Sequence, residues 1–418
     1  MKILLVNNFY YDRGGDCTYL LSLKRLLEEK GHKVIVFAMH HPQNFDSENS
    51  RYFVSYINYD EEVKDINLAS GYKVLKRAIY STESREMMDK LIEHEKPDIA
   101  HIQNVHHHIT PSIFYSLKKN KIPIIWTLHD YTIICPNTSF LSHGKICERC
   151  RKNKFFWPSL EKCKKNSFSA STMAGLEAVV HRLTRFQNGV SYFIAPSEFL
   201  YRKFIEYGFG VDKLILLHSF TDYPLQHENE DSDNYYLFVG RIAEEKGVKT
   251  LIDAAVNINS CKLKIVGGGP DMDAMIAYAK SKDKNNMIEF LGHKGRDELK
   301  EIYQRCKFIV VPSEWYETTG LIIFEAFAYG KPAVASGIGG ISEFVKDMER
   351  GLIFKTRNSE DLRASIQYLL DNPDLIAEMG ANAREFIENE LSAERHYEKL
   401  MKLYEKALTG VKNIAPVS

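Results

Sequence analysis

Residues Val311–Ser336 read VPSEWYETTGLIIFEAFAYGKPAVAS. An apolar strand, Phe308–Val311, runs into a polar turn, then a glycine at Gly320, an apolar helix, the breaker GKP and a second strand at Ala333–Ala335. Strand, helix and strand in that order make a parallel crossover unit, with the helix covering one face of a sheet. Ile323, Phe324 and Phe327 supply the core face of that helix. Gly320 stands at the helix start, where free backbone N–H groups and the dipole favour phosphate. Glu325 lies one to two turns further on, where a carboxylate can accept hydrogen bonds from two adjacent ribose hydroxyls. Glu317 precedes the helix and would face a sugar. Two solvated glutamates are the bland alternative. The strand before, the glycine turn and the strand after tip the reading toward a site.

Working outward, the same plan repeats. FVGRIAEEKGVKTLIDA (Phe238–Ala254) places Gly240, Arg241 and Lys246 after one strand and before one helix. A strand-end glycine lets the backbone approach a ligand. Arg and Lys there could clamp a diphosphate, one as a planar fork and one as a point charge. IVGGGP (Ile265–Pro270) and SGIGGISEFV (Ser336–Val345) add glycine-rich strand-to-helix turns, neither of which spells a full dinucleotide fingerprint. Further strands are expected at Tyr236–Val239, Leu263–Val266, Ile288–Leu291 and Leu352–Phe354, and helix from Asp361 onward. The tail GVKNIAPVS reads as weakly structured.

The first half alternates in the same way. Strands are expected at Lys2–Val6, Val34–Ala38, Ile99–Ile102, Ile122–Leu128, Tyr192–Ala195 and Leu214–Leu217. Asp16–Lys30 and Met87–Lys96 read as helices, the second stopped by Pro97, and another starts near Ser197. Gln226–Asn234 is polar, acidic and aperiodic, a linker. The fold class is therefore α/β: two doubly wound parallel-sheet domains that face a cleft, with C-terminal helices. Ligands in such folds bind beyond the carboxyl ends of the strands.

The chain has 418 residues, 44% hydrophobic and 26% charged, with 55 Lys plus Arg against 55 Asp plus Glu. That balance fits a globular protein and gives no global field for nucleic acid or lipid. The apolar run Ile3–Val6 is too short for a signal peptide, and no stretch nears the ~20 residues of a membrane span, so a cytoplasmic protein is expected. Seven cysteines, an odd number without an export signal, argue against a disulfide framework.

With these residues in view, the chain resembles the family-4 retaining glycosyltransferases of the GT-B fold, also called glycosyltransferase group 1. The likeness rests on Gly14–Gly15, KGHKV (Lys30–Val34), LHD (Leu128–Asp130), APSEF (Ala195–Phe199), GRIAEEKG, IVGGGP, PSEWYETTGLIIFEA and GKPAVAS. The resemblance implies retaining transfer from a nucleoside-diphosphate sugar without an essential metal. It implies an acceptor-binding domain at 1–222, a linker at 223–234, a nucleotide-sugar-binding domain at 235–390, and a helix and tail at 391–418 that return to the first domain. Carried over, Arg241 and Lys246 hold the diphosphate, Glu325 the ribose, Glu317 the transferred sugar, and Gly320 and Leu321 offer amides to phosphate. Gly240 and Gly268 join the donor site. His129 reaches the sugar from the first domain, and Gly15 helps close over it. Where relatives carry Pro-Asn-Gly-Val-Asp before the linker, this chain has His218–Asp222, and Gly268 stands where many carry Asp.

Cys135, Cys147, Cys150 and Cys163 lie in an insertion at about 135–166 with the spacing C-x11-C-x2-C-x12-C, which could supply thiolates to a structural zinc. His106–His108 is another ligand cluster, read as a cleft loop because adjacent histidines rarely share a metal. From Lys145 to Asn166 eight Lys or Arg face two Glu, around Phe155, Phe156 and Trp157. That mixture suits peripheral contact with an anionic membrane, at the inner face of the cell membrane. It also suits a loop that tucks its aromatics inward. The expected partners are a nucleoside-diphosphate sugar and a glycan or lipid-linked acceptor in surface polysaccharide or glycolipid synthesis, and no nucleic acid. The competing functions are a non-catalytic sugar-nucleotide-binding subunit and a sugar-nucleotide epimerase of the same fold.

Overall fold

The computed structural model describes residues 1–56, 79–225 and 232–412. In chain order its strands are β1 (Lys2–Val6), β2 (Lys33–Phe37), β3 (Ile99–Ile102), β4 (Ile124–Thr127), β5 (Leu141–Ser142), β6 (Lys145–Ile146), β7 (Tyr192–Ala195) and β8 (Leu214–Leu216), then β9 (Tyr235–Val239), β10 (Lys262–Val266), β11 (Ile288–Gly292), β12 (Ile309–Val311), β13 (Ala333–Ser336) and β14 (Gly351–Phe354). They form two six-stranded sheets, ordered β2-β1-β3-β4-β7-β8 and β11-β10-β9-β12-β13-β14, and β5 pairs with β6 as a small hairpin. Every pairing in the two large sheets is parallel.

Alternate residues of each strand serve two separate cores. Leu4 and Val6 pack on one face of β1, and Ile3 and Leu5 on the other. Leu237 and Val239 divide from Tyr236 and Phe238 in the same way on β9. Burial on both faces is why these strands are continuous apolar runs rather than alternating ones. Each sheet reverses its strand order beside its first strand, between β1 and β3 and between β9 and β12. The carboxyl ends at those switch points are where a ligand crevice forms. The loops Asn7–Gly14 and Gly240–Gly247 begin there.

The helices mostly sit where periodicity placed them. Gly15–Glu29 buries Leu20, Leu23 and Leu27, and Thr82–Glu95 begins five residues earlier than read, capped by Ser81. Ser197 caps Glu198–Glu206 by accepting the Leu200 N–H. The final helix, Ala393–Lys412, packs on the first sheet through Leu400, Leu403, Tyr404 and Ala407. Tyr404 Oη lies 2.6 Å from His101 Nδ1, and Tyr19 Oη lies 2.9 Å from His396 Nε2. The expected linker falls largely outside the described residues, at 226–231, and so does most of the tail, at 413–418.

One long helix, Phe168–Thr184, was not foreseen. Its inward face is Ser171, Ala174, Gly175, Glu177 and His181, and its outward face carries Phe168, Leu176, Val179 and Leu183. Polarity is inverted relative to a surface helix, so the apolar stripe does not mark a core-facing side.

Candidate functional site

The donor-side residues are gathered by two adjacent strands. Lys246 ends the 3-10 turn Glu244–Lys246 after β9. Gly247 follows with φ +69°, and a Cβ there would stand 1.9 Å from the Pro312 carbonyl oxygen. Only glycine lets the Lys246 turn lie this close to the loop after β12. As a result Lys246 Nζ reaches Glu317 Oε1 at 2.6 Å, and Ser313 Oγ donates to the same oxygen at 2.8 Å. Glu317 is buried. Burial alone would push its carboxyl up, but the Lys246 charge and these hydrogen bonds hold it below its ordinary value. Lys246 also lies 5.3 Å from the Trp315 ring centroid. Arg241 is largely exposed and pairs with Glu245, four residues on.

Gly320, at φ +82°, is the N-cap of the helix Leu321–Ala328. The first N–H groups of a helix have no partner within it, so they are available to an anion. Glu325 sits on the inner side of this helix, where Tyr303 Oη donates to Oε2 at 2.9 Å. Burial raises its carboxyl to about 7, against the pull of Tyr303 and Arg296. Gly240 donates its N–H to the Val266 carbonyl at 3.0 Å, and the Gly268 carbonyl accepts from Ile242 at 2.9 Å, which ties the two glycine turns together. Gly268 itself borders open space.

The first half supplies the opposite wall. His129 follows β4, and its Nε2–H donates to Gln103 Oε1 at 2.6 Å. Burial drives the imidazole down to about 3, so it is neutral at any physiological pH. Gln103, invisible in the sequence reading, orients His129. Asp130 does not: its Oδ1 accepts the Thr132 N–H at 2.8 Å and caps the next turn. Burial raises the carboxyls of both Asp130 and Asp16, and the Asp130 charge adds to the rise at Asp16. Gly15 starts its helix within 3.8 Å of Leu321 Cδ1, counted from an added Cβ, so the two helix starts meet across the cleft.

Hydrogen bonds bridge the halves at one segment. Tyr131 Oη donates to the Tyr316 carbonyl at 3.0 Å, Ser197 Oγ donates to the Thr318 carbonyl, and Thr318 Oγ1 donates to the His129 carbonyl at 3.3 Å. Gly340 N–H donates to the Glu317 carbonyl at 2.8 Å from behind. Glu343 completes the bridge by accepting the Glu198 and Phe199 N–H groups at 2.7 and 3.3 Å, a carboxylate at a helix start. Glu317 and Thr318 are thereby fixed between both domains. Ser197 and Glu343 lie within quoted motifs and Tyr131 just after one, yet nothing in their spacing says that they meet.

In the insertion, Cys135 and Cys150 are buried, and Cys147 and Cys163 partly so. Burial raises the Cys135 thiol to about 12, and Cys163 and Cys147 add to it. Of the three aromatics, Phe155 is buried and Phe156 exposed. Leu160, Phe168, Leu176, Val179 and Leu183 are exposed as well. Among the described residues no helix is long and apolar enough to cross a membrane.

Comparisons with known proteins agree with this architecture. Residues 13–223 match the family model of glycosyltransferase family 4, and residues 220–386 match that of glycosyl transferases group 1. An uncharacterized glycosyltransferase of Methanocaldococcus jannaschii is 27% identical, over 97% of this chain and 98% of the relative. Sucrose-phosphate synthase of Thermosynechococcus elongatus superposes with a TM-score of 0.72 at 18% identity, covering 98% of this chain and 99% of that one. Anabaena HepE, solved with UDP-glucose, gives 0.65 at 16%, covering 97% and 100%. Such distant likenesses speak for the GT-B fold.

Proposed function

Because the chain belongs to glycosyltransferase family 4, the group 1 glycosyltransferases, we propose that it moves a sugar, with retention, from a nucleoside diphosphate to a glycan or lipid-linked acceptor. The observation that carries this reading is the partly buried Lys246–Glu317 pair, beside the Gly320 helix start and bridged to His129 through Thr318. A donor diphosphate placed there draws Lys246 and Arg241 away from Glu317 and Glu245. Glu325 then takes the ribose hydroxyls. Glu317, His129 and the Gly15 turn surround the sugar.

The bond from the anomeric carbon to the phosphate oxygen breaks, and negative charge grows on the diphosphate. Lys246, Arg241 and the Gly320 and Leu321 amides meet that charge without reorganising, each worth about 3 kcal/mol by comparison with oxyanion-hole donors. The acceptor hydroxyl oxygen attacks the same face, and its proton passes to the departing phosphate. With these cations in place the charge needs no metal partner. A thermal-shift screen of UDP, GDP and ADP sugars tests the donor site. At least one should raise the melting temperature of the wild type and leave Lys246→Ala unmoved; a flat response to all of them counts against the site.

The exposed apolar face supports a lipid-linked acceptor, with the enzyme working at the inner, anionic face of the membrane in polysaccharide or glycolipid synthesis. Phe156, Leu160, Leu176 and Leu183 lie beside Lys152, Lys154 and Arg182, the composition of an interfacial surface. Co-sedimentation should be stronger with anionic than neutral vesicles and fall in Leu176→Ser/Leu183→Ser. Equal recovery with both vesicles speaks against it. The four insertion thiols, each within electrostatic reach of its neighbours, are proposed to bind a structural zinc. Metal analysis before and after a strong chelator checks this.

A further inference from the structure

A second polar cluster lies beneath the helix Phe168–Thr184, and the donor chemistry makes no use of it. His106 comes from the loop after β3, with its ring 5.4 Å from that of Trp126. Glu177 and His181 are four residues apart on the inward side of the helix, a spacing that puts both on one face. The three are 5%, 7% and 9% exposed, and one ligand atom from each lies within 4.8 Å of the others.

Their hydrogen bonds leave inward positions open. Glu177 Oε2 lies 3.1 Å from His107 Nδ1, while Glu177 Oε1 has no partner among the described residues. His181 Nε2 faces the Ile79 carbonyl at 3.4 Å, and His106 Nδ1 also has no partner among them. An unmet buried polar atom costs about 1–3 kcal/mol, so two side by side call for an occupant. A histidine that gives one nitrogen to a carbonyl and a carboxylate held by a neighbouring imidazole are the outer contacts of a ligated metal.

We propose that His106, Glu177 and His181 bind a divalent transition-metal ion. Two imidazoles and one carboxylate suit zinc, iron(II) or cobalt(II), and three protein ligands leave a coordination position for water. The ion clips the loop after β3 to a helix whose outward face is apolar and whose inward face is polar. Ala174 is the one apolar side chain that the helix buries. Lys164, close enough to act on both His106 and Glu177, tempers the affinity.

The test is a cobalt(II) titration of the chelator-treated full chain, alongside Cys147→Ser/Cys150→Ser. In the cysteine variant a visible d–d spectrum without thiolate charge transfer is expected, saturating at a single ion and raising the melting temperature. Glu177→Gln and His181→Ala in that background should lose the spectrum while keeping the far-ultraviolet dichroism of the fold. No cobalt or zinc binding, binding with only a thiolate signature, or a spectrum unchanged in Glu177→Gln each overturns the proposal. If the cysteine variant does not fold, the cobalt stoichiometry decides: the wild type should take up one ion more than Glu177→Gln, and equal uptake overturns the proposal.

Discussion

At Glu325 the ordinary carboxyl value of 4.5 rises to about 7 on burial. A group whose folded value is raised holds its proton longer in the native state, so stability falls as pH climbs from the lower value to the higher. Between roughly pH 4.5 and 7 the wild type should lose on the order of 3 kcal/mol relative to Glu325→Gln, read from denaturant midpoints at each pH. Parallel profiles would show that Glu325 is not shifted. Ribose hydroxyls donate to the carboxylate, so nucleotide affinity should rise through pH 7 in the wild type and stay flat in the Gln variant, measured by calorimetry. His129, held neutral in the fold down to about 3, takes a proton in the unfolded chain below its ordinary value, and this shifts wild type and Glu325→Gln alike, so their difference reports Glu325. The glutamates and basic residues were legible in the sequence because each follows a strand. Gln103 was not, since it acts only through His129, which lies 26 residues away in the chain.

Among the elements, the turn at Gly247 matters most. Gly247→Ala puts a methyl group against the Pro312 carbonyl at a positive φ, so the turn must move away from the loop after β12. We expect a destabilisation of about 2–4 kcal/mol and a loss of turnover that exceeds the loss of folded protein. Unchanged turnover would mean that the Lys246–Glu317 approach is dispensable. Strands buried on both faces and capped helices were easy to read, because period and punctuation agree. The helix Phe168–Thr184 was not, because its apolar residues Leu176 and Leu183 point outward and Glu177 and His181 inward. Its inverted pattern turns Leu176 and Leu183 toward solvent and Glu177 and His181 onto the second cluster.

For the whole molecule, two similar halves meet at Trp315–Thr319, held from one side by Tyr131, Ser197 and the His129 carbonyl and from the other by Gly340. These bonds cross between distant parts of the chain, so spacing could not foretell them. Tyr131→Phe removes the hydrogen bond to the Tyr316 carbonyl from that bridge and should raise KM for the donor more than it lowers kcat. The reverse split would place the bridge in the chemical step. The central claim is that Lys246 and Arg241 carry the leaving-group charge. It is tested most directly by single-turnover rates of sugar transfer for the wild type, Lys246→Ala and Arg241→Ala at saturating donor. The account predicts losses on the order of a hundredfold in each variant, with folded structure retained. Rates within a few-fold of wild type in both would contradict it.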